Sequence, residues 1–152
     1  MTSVATILAE ASALDAGLAA ILRDVPEVAA AWVFGSFARG AVSKDSDLDL
    51  ALLLRRREKK PADVYMELAT VAARAERLAG GRPVDVVLIE AQGPIFQHEV
   101  LAEGRLVYDA DPERRVDFES DAHVRYFDYL PTHNLAAREA ISGARAWFEG
   151  RR

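Results

Sequence analysis

The chain has 152 residues, 51% of them apolar, which suffices for one domain with its own core and argues against disorder. It contains no cysteine, which excludes disulfides, thiolate zinc sites and thiol nucleophiles and fits a cytoplasmic protein. A net charge of −5 argues against a protein that grips long nucleic acid, because phosphate neutralisation supplies most of that affinity; a small anion bound through a metal, or a protein partner, fits better.

Val4, Ile7, Leu8, Ala11, Leu14, Leu18 and Ile21 recur at helical spacing and predict an amphipathic helix over about residues 3–22. No stretch reads as an uninterrupted membrane span, and the N-terminal segment carries Glu10 and Asp15 without a basic cluster, unlike a secretory signal. Val28 to Phe34 reads as a buried strand broken by Gly35-Ser36, and residues 36–39 read as one short helical turn. After the loop "GAVSKDS", residues 47–54 form a second strand, almost wholly apolar beyond Asp49 and therefore central in a sheet. "RRREKKP" is a polar connection, residues 62–79 are helical by pattern, and "GGRP" closes that helix. A third strand over 84–90, a helix over 94–103 stopped by Gly104, and a short strand over 105–109 follow. Asp111 and Pro112 open a helix running to about Leu130, where Pro131 is expected to interrupt it before a second stretch ending near Trp147. The order predicts an α/β (α+β) chain with a mixed sheet flanked by helices. It is read as a single domain over 1–152, with a core of about 28–110 and a helical C-terminal segment of about 111–152.

The stretch "WVFGSFARGAVSKDSDLDLALLL" holds the chemistry. Side chains alternate across a strand, so Asp47 and Asp49 share one face, with Leu48 and Leu50 on the other. Two adjacent carboxylates repel unless a cation sits between them, and hard, oxygen-seeking Mg²⁺ suits such a pair, above all when phosphates supply further ligands. Asp85 is the lone charge in "PVDVVLI" and is expected to be a buried acid in need of a partner. If the third strand lies beside the second, Asp85 joins the other two; pairing with Arg82 is the structural alternative. Gly35 permits close backbone approach, and N–H groups of the following turn, with the Ser36 hydroxyl, can bind phosphate oxygens. Ser36 would serve equally as a helix N-cap. Arg39 and Lys44 are nearby candidates for phosphate contacts.

Gly35-Ser36, ten residues, then Asp47-Leu48-Asp49 resembles the G-S-x10-D-x-D signature of the nucleotidyltransferase superfamily that shares the DNA polymerase β fold. Asp85 on a later strand matches the family's third carboxylate, and the order of elements is similar to the minimal nucleotidyltransferases, the MNT proteins. The resemblance implies a nucleotidyltransferase-fold sheet. It implies that Asp47, Asp49 and Asp85 hold two Mg²⁺ ions and the triphosphate, that Asp85 helps deprotonate an acceptor hydroxyl, and that Gly35 and Ser36 hold the β and γ phosphates. It further implies an antitoxin that transfers AMP from ATP to a tyrosine of a HEPN-domain RNase toxin.

Masking of such a partner without catalysis, and transfer to a small molecule such as an aminoglycoside, are the other functions the residues allow. Arg55, Arg56, Arg57, Lys59 and Lys60 read as a solvated loop before a binding patch. His98, His123 and His133 are read as too scattered for a metal site. Tyr126, Phe127, Tyr129, Trp147 and Phe148 are read first as core packing, second as a partner surface.

Overall fold

The computed structural model describes residues 3–57 and 61–149, with the side chains from 143 onward outside the description. The helices are α1 (Val4–Arg23), α2 (Gly35–Ala38), α3 (Tyr65–Leu78), α4 (Pro94–Glu103) and α5 (Pro112–Glu149). The strands are β1 (Val28–Phe34), β2 (Leu48–Leu54), β3 (Val84–Leu88) and β4 (Arg105–Asp109). They form one mixed sheet in the order β3-β2-β1-β4. β1 is antiparallel to both β2 and β4, and β2 is parallel to β3. β2 is central, as its apolar run predicts.

Alternation along β2 separates two cores. Leu48, Leu50, Leu52 and Leu54 point to a layer shared with Leu18 and Leu22 of α1 and Val71 and Ala75 of α3. Ala51 and Leu53 point the other way, towards Trp32, Val100 of α4, and Phe118 and Ala122 of α5. Helices thus cover both faces.

Several boundaries differ from the expectations. β2 begins at Leu48, leaving Asp47 in the loop before it. β3 ends at Leu88, and Ile89–Ala91 turn into a 3-10 helix. A 3-10 turn, Pro61–Val64, precedes α3. Asp111 does cap α5, its Oδ1 accepting from the Arg114 N–H at 3.1 Å. Pro131 does not interrupt α5, which is one helix of 38 residues with the proline inside it. Its missing N–H forfeits one backbone bond without ending the helix.

The N-terminal helix also departs from its reading. By length and composition Ala5–Arg23 is apolar enough to cross a membrane. Its C-terminal half is nonetheless committed to the sheet: Leu18 and Leu22 are fully buried. Asp15 accepts from Arg105 of β4 through both carboxylate oxygens, at 2.7 and 2.9 Å.

The basic connection after β2 is partly tied down. Arg55 pairs with Asp111 and Arg57 with Asp121, each at 3.2 Å, which fastens the end of β2 to α5. Lys59 and Lys60 lie outside the described residues. Arg114, buried beneath this end, pairs with Glu90 and donates to the Leu54 carbonyl at 3.2 Å.

Candidate active site

Because β1 is antiparallel to β2 and β2 parallel to β3, the end of β1 and the starts of β2 and β3 meet at one end of the sheet. Gly35 and Ser36 follow β1 there, Asp47 is the last loop residue before β2, and Asp49 is the second residue of that strand. Asp49 stands opposite Phe34 on one side and opposite Asp85 on the other. Asp49 shares the strand parity of Ala51 and Leu53, and Asp85 that of Val87, so both project to the α4/α5 side. The sequence-predicted acids are therefore brought together, with two corrections. Asp85 is exposed, not buried, because β3 is an edge strand; its compensation is solvent. Arg82 is not its partner.

Arg82 instead holds the loop that delivers Asp47. Its Nη1 donates to the carbonyls of Ser43 at 2.9 Å and of Lys44 and Ser46 at 3.3 Å, while the guanidinium lies 5.8 Å from the Phe37 ring centre. Within the loop the Ser43 N–H donates to Ser46 Oγ at 2.8 Å. The Leu48 N–H then donates to the Pro83 carbonyl at 2.9 Å, which starts the β2–β3 pairing. A chain of weak bonds thus fixes the register that sets Asp49 against Asp85.

Gly35 is required on two counts. Its φ of +67° is in the left-handed region, and a Cβ there would collide with Asp49 Oδ2. The glycine backbone and the β2 carboxylate are in direct apposition, twelve or more residues apart in sequence. α2 starts at Gly35 with Phe34 in the N-cap position, so Ser36 is not the cap and its hydroxyl has no capping bond to make.

The electrostatics follow from this crowding. Burial raises the Asp49 carboxyl above its usual range, and the charges of Asp85 and then Asp47 push it further; Arg39 acts the other way. The excess negative charge and the all-oxygen donor set suit a hard divalent cation. Among the described residues no three acidic or histidine side chains are already gathered as a metal cage. Any ion held here would complete its shell from a ligand.

Arg39 and Lys44 differ in their surroundings. Lys44 is exposed in the loop turn. Arg39 caps α2 and pairs with Glu103, the last residue of α4, at 3.3 Å. The two border a cleft of about 330 Å³ between α2 and α4, lined also by Phe34, Gly35, Phe96, Glu99 and Val100. Sequence reasoning missed Glu103 and this cleft, since nothing local in "HEVLAEG" links it to a residue 64 positions earlier.

Elsewhere, the ring centres of His98 and His123 are 6.0 Å apart and His98 stacks on Tyr126 at 3.7 Å, but among the described residues the histidines join no group of three or more metal-ligating side chains. Phe127 and Tyr129 are not core residues, being 62% and 40% exposed. The Trp147 and Phe148 side chains lie outside the described residues.

The family model "Polymerase beta, Nucleotidyltransferase" matches residues 17–113, from α1 through β4, and the chain belongs to that family. No curated protein matches it in sequence. Among solved structures it is similar to a toxin–antitoxin with AMP-PNP, with a TM-score of 0.60 and 20% identity over 87% of this chain and 98% of that one. It is also similar to the complex of a tri-AMPylated Shewanella oneidensis HEPN toxin with its MNT antitoxin, with a TM-score of 0.58 and 20% identity over 90% and 98% of the two chains. A third similar structure is the MntA-HepT toxin–antitoxin, with a TM-score of 0.52 and 18% identity over 88% and 97%. These likenesses carry the fold.

Proposed function

We propose that this chain is the antitoxin of a HEPN/MNT pair and that it transfers AMP from ATP to a tyrosine hydroxyl of a HEPN-domain toxin. The observation that carries this reading is the pairing of Asp49 with Asp85 beside Gly35, which draws a metal platform and a phosphate approach into one place. The antitoxin setting is supported by the likeness to the MNT chain bound to an AMPylated HEPN toxin. The setting we propose is the cytoplasm.

In the proposed reaction Asp47, Asp49 and Asp85 hold Mg²⁺, and the backbone and hydroxyl of Gly35-Ser36 receive the β and γ phosphates. Arg39 and Lys44 supply positive charge to the same triphosphate. When bound, the metal pair stabilises the charge that develops on the entering and leaving oxygens. Asp85 takes the acceptor proton, the acceptor oxygen bonds to the α-phosphorus, and the bond to the β-phosphate oxygen breaks. The products are an AMP-modified tyrosine and pyrophosphate. An edge-strand carboxylate suits this role, because a protein-borne hydroxyl must reach it from outside.

The test is the intact mass of the HEPN-domain partner after incubation with this protein and Mg-ATP. An AMP increment that disappears with Asp47→Asn/Asp49→Asn supports transfer; an unchanged mass with a stable complex sinks it. A second reading, neutralisation by masking, is favoured by the outer half of α5, where residues 131–142 are all exposed and include Leu135 and Ile141.

A further inference from the structure

Glu103 sits where a helix least tolerates it. It is the last residue of α4, and the carbonyl end of a helix disfavours a carboxylate. It therefore does nothing for the helix itself. Its partner is Arg39, contributed by α2 from 64 positions earlier in the chain, at 3.3 Å, with both side chains more than half exposed. Arg39 is one helical turn past Gly35, and its charge reaches Asp49. The pair lines the cleft between α2 and α4, where Glu99 adds a second carboxylate from α4.

We propose that Glu103 is a positioning residue that holds Arg39 aside until a nucleoside triphosphate claims it. This rests on the nucleotidyltransferase reading of the site and adds to it a competitor for the phosphate-binding arginine. An exposed ion pair is weak, so the latch opens at little cost, whereas a triphosphate offers Arg39 a denser anion with forked hydrogen bonding. Release of Arg39 then coincides with arrival of the phosphates and the metal they carry.

The experiment is calorimetric titration of the full chain with Mg²⁺ and a non-hydrolysable ATP analogue. Glu103→Gln is expected to tighten binding about two- to fivefold, the range that loss of an exposed ion pair allows. Glu103→Asp should keep the wild-type affinity, and Glu99→Gln should change it less than about twofold, since Glu99 shares the cleft without holding Arg39. Arg39→Gln should weaken binding and erase the gain from Glu103→Gln. Steady-state transfer should show the same split, with a lower KM for ATP in Glu103→Gln and an unchanged kcat. The proposal is overturned if Glu103→Gln leaves affinity unchanged, or if its gain persists in the Arg39→Gln background, which would indicate general charge repulsion. Absence of binding by the wild-type chain is a different failure, that of the nucleotide reading itself.

Discussion

Gly35 and Asp49 constrain each other. The glycine must turn with positive φ, and the space a Cβ would fill belongs to the Asp49 carboxylate. Gly35→Ala should lower stability by about 1–2 kcal/mol from the backbone alone, read by urea denaturation. It should also reduce transfer at least about tenfold, because displacing Asp49 moves a charge that must be held within a fraction of an ångström. Asp49 is itself a destabilising group at neutral pH. Its pKa in the folded chain is raised above the usual 3.8, first by burial, then by Asp85 and Asp47. Between the two values the folded state binds more protons than the unfolded one, so stability falls as pH rises through that window and stays lower above it. Asp49→Asn should therefore stabilise the metal-free chain at pH 7, by less than about 1 kcal/mol given the partly solvated site, and give no gain at pH 3. Thermal melts at the two pH values decide this. The same titration governs Mg²⁺ with the opposite slope: affinity should rise with pH as the Asp49 proton leaves, and a flat profile would mean that Asp49 is not a ligand.

At the level of elements, α1 is joined to the working end of the sheet through one residue. Arg105, the first residue of β4, binds Asp15 with two bonds and the Phe37 carbonyl of α2 with a third, at 3.3 Å. Asp15→Ala leaves that guanidinium half-buried and partly unpaired, and should cost about 1–2 kcal/mol in chemical denaturation. It should also loosen α2, seen as faster amide exchange at Ala38 and Arg39. Pro131 poses the opposite case. A helix-interior proline costs about 3 kcal/mol against alanine, yet residues 131–142 touch little that would report it. Pro131→Ala should therefore raise the far-UV helical signal while leaving the cooperative unfolding midpoint within a few degrees.

These elements also show what the amino-acid order discloses. The Asp47/Asp49 spacing and the run of leucines after it carry their own geometry, since alternation in a strand is local. That Asp85 stands beside Asp49 needed only the assumption that the two strands are neighbours. Its exposure was hidden, because whether β3 is an edge depends on the whole strand order. Glu103 and the anchoring role of Arg82 were hidden for the same reason: each acts across the fold on a loop or helix remote in sequence. Pro131 misled because an interior proline forfeits a backbone bond without obliging the helix to end, and the sequence around it does not disclose which outcome holds.

Across the whole molecule, the described part of α5 beyond Leu130 adds nothing to the core. Among the described residues the last buried side chain is Ala122, and the family match ends at residue 113. A chain ending after Leu130 should fold with a melting temperature within a few degrees of the parent and still bind Mg-nucleotide. Capture of a HEPN-domain toxin, the partner proposed above, by the truncated form, compared with the intact form in a binding titration, then tells whether the outer half of α5 is the grip.

A helix of 38 residues spans about 57 Å, roughly twice the width of the sheet domain that carries it. Its residues 131–142 are all exposed, so the outer part of that length is free to serve as a handle. A partner that grasps this exposed stretch stays tethered to the domain, where the local concentration of acceptor reaches roughly the millimolar range. Under such tethering, weak intrinsic affinity for any single acceptor group is no handicap.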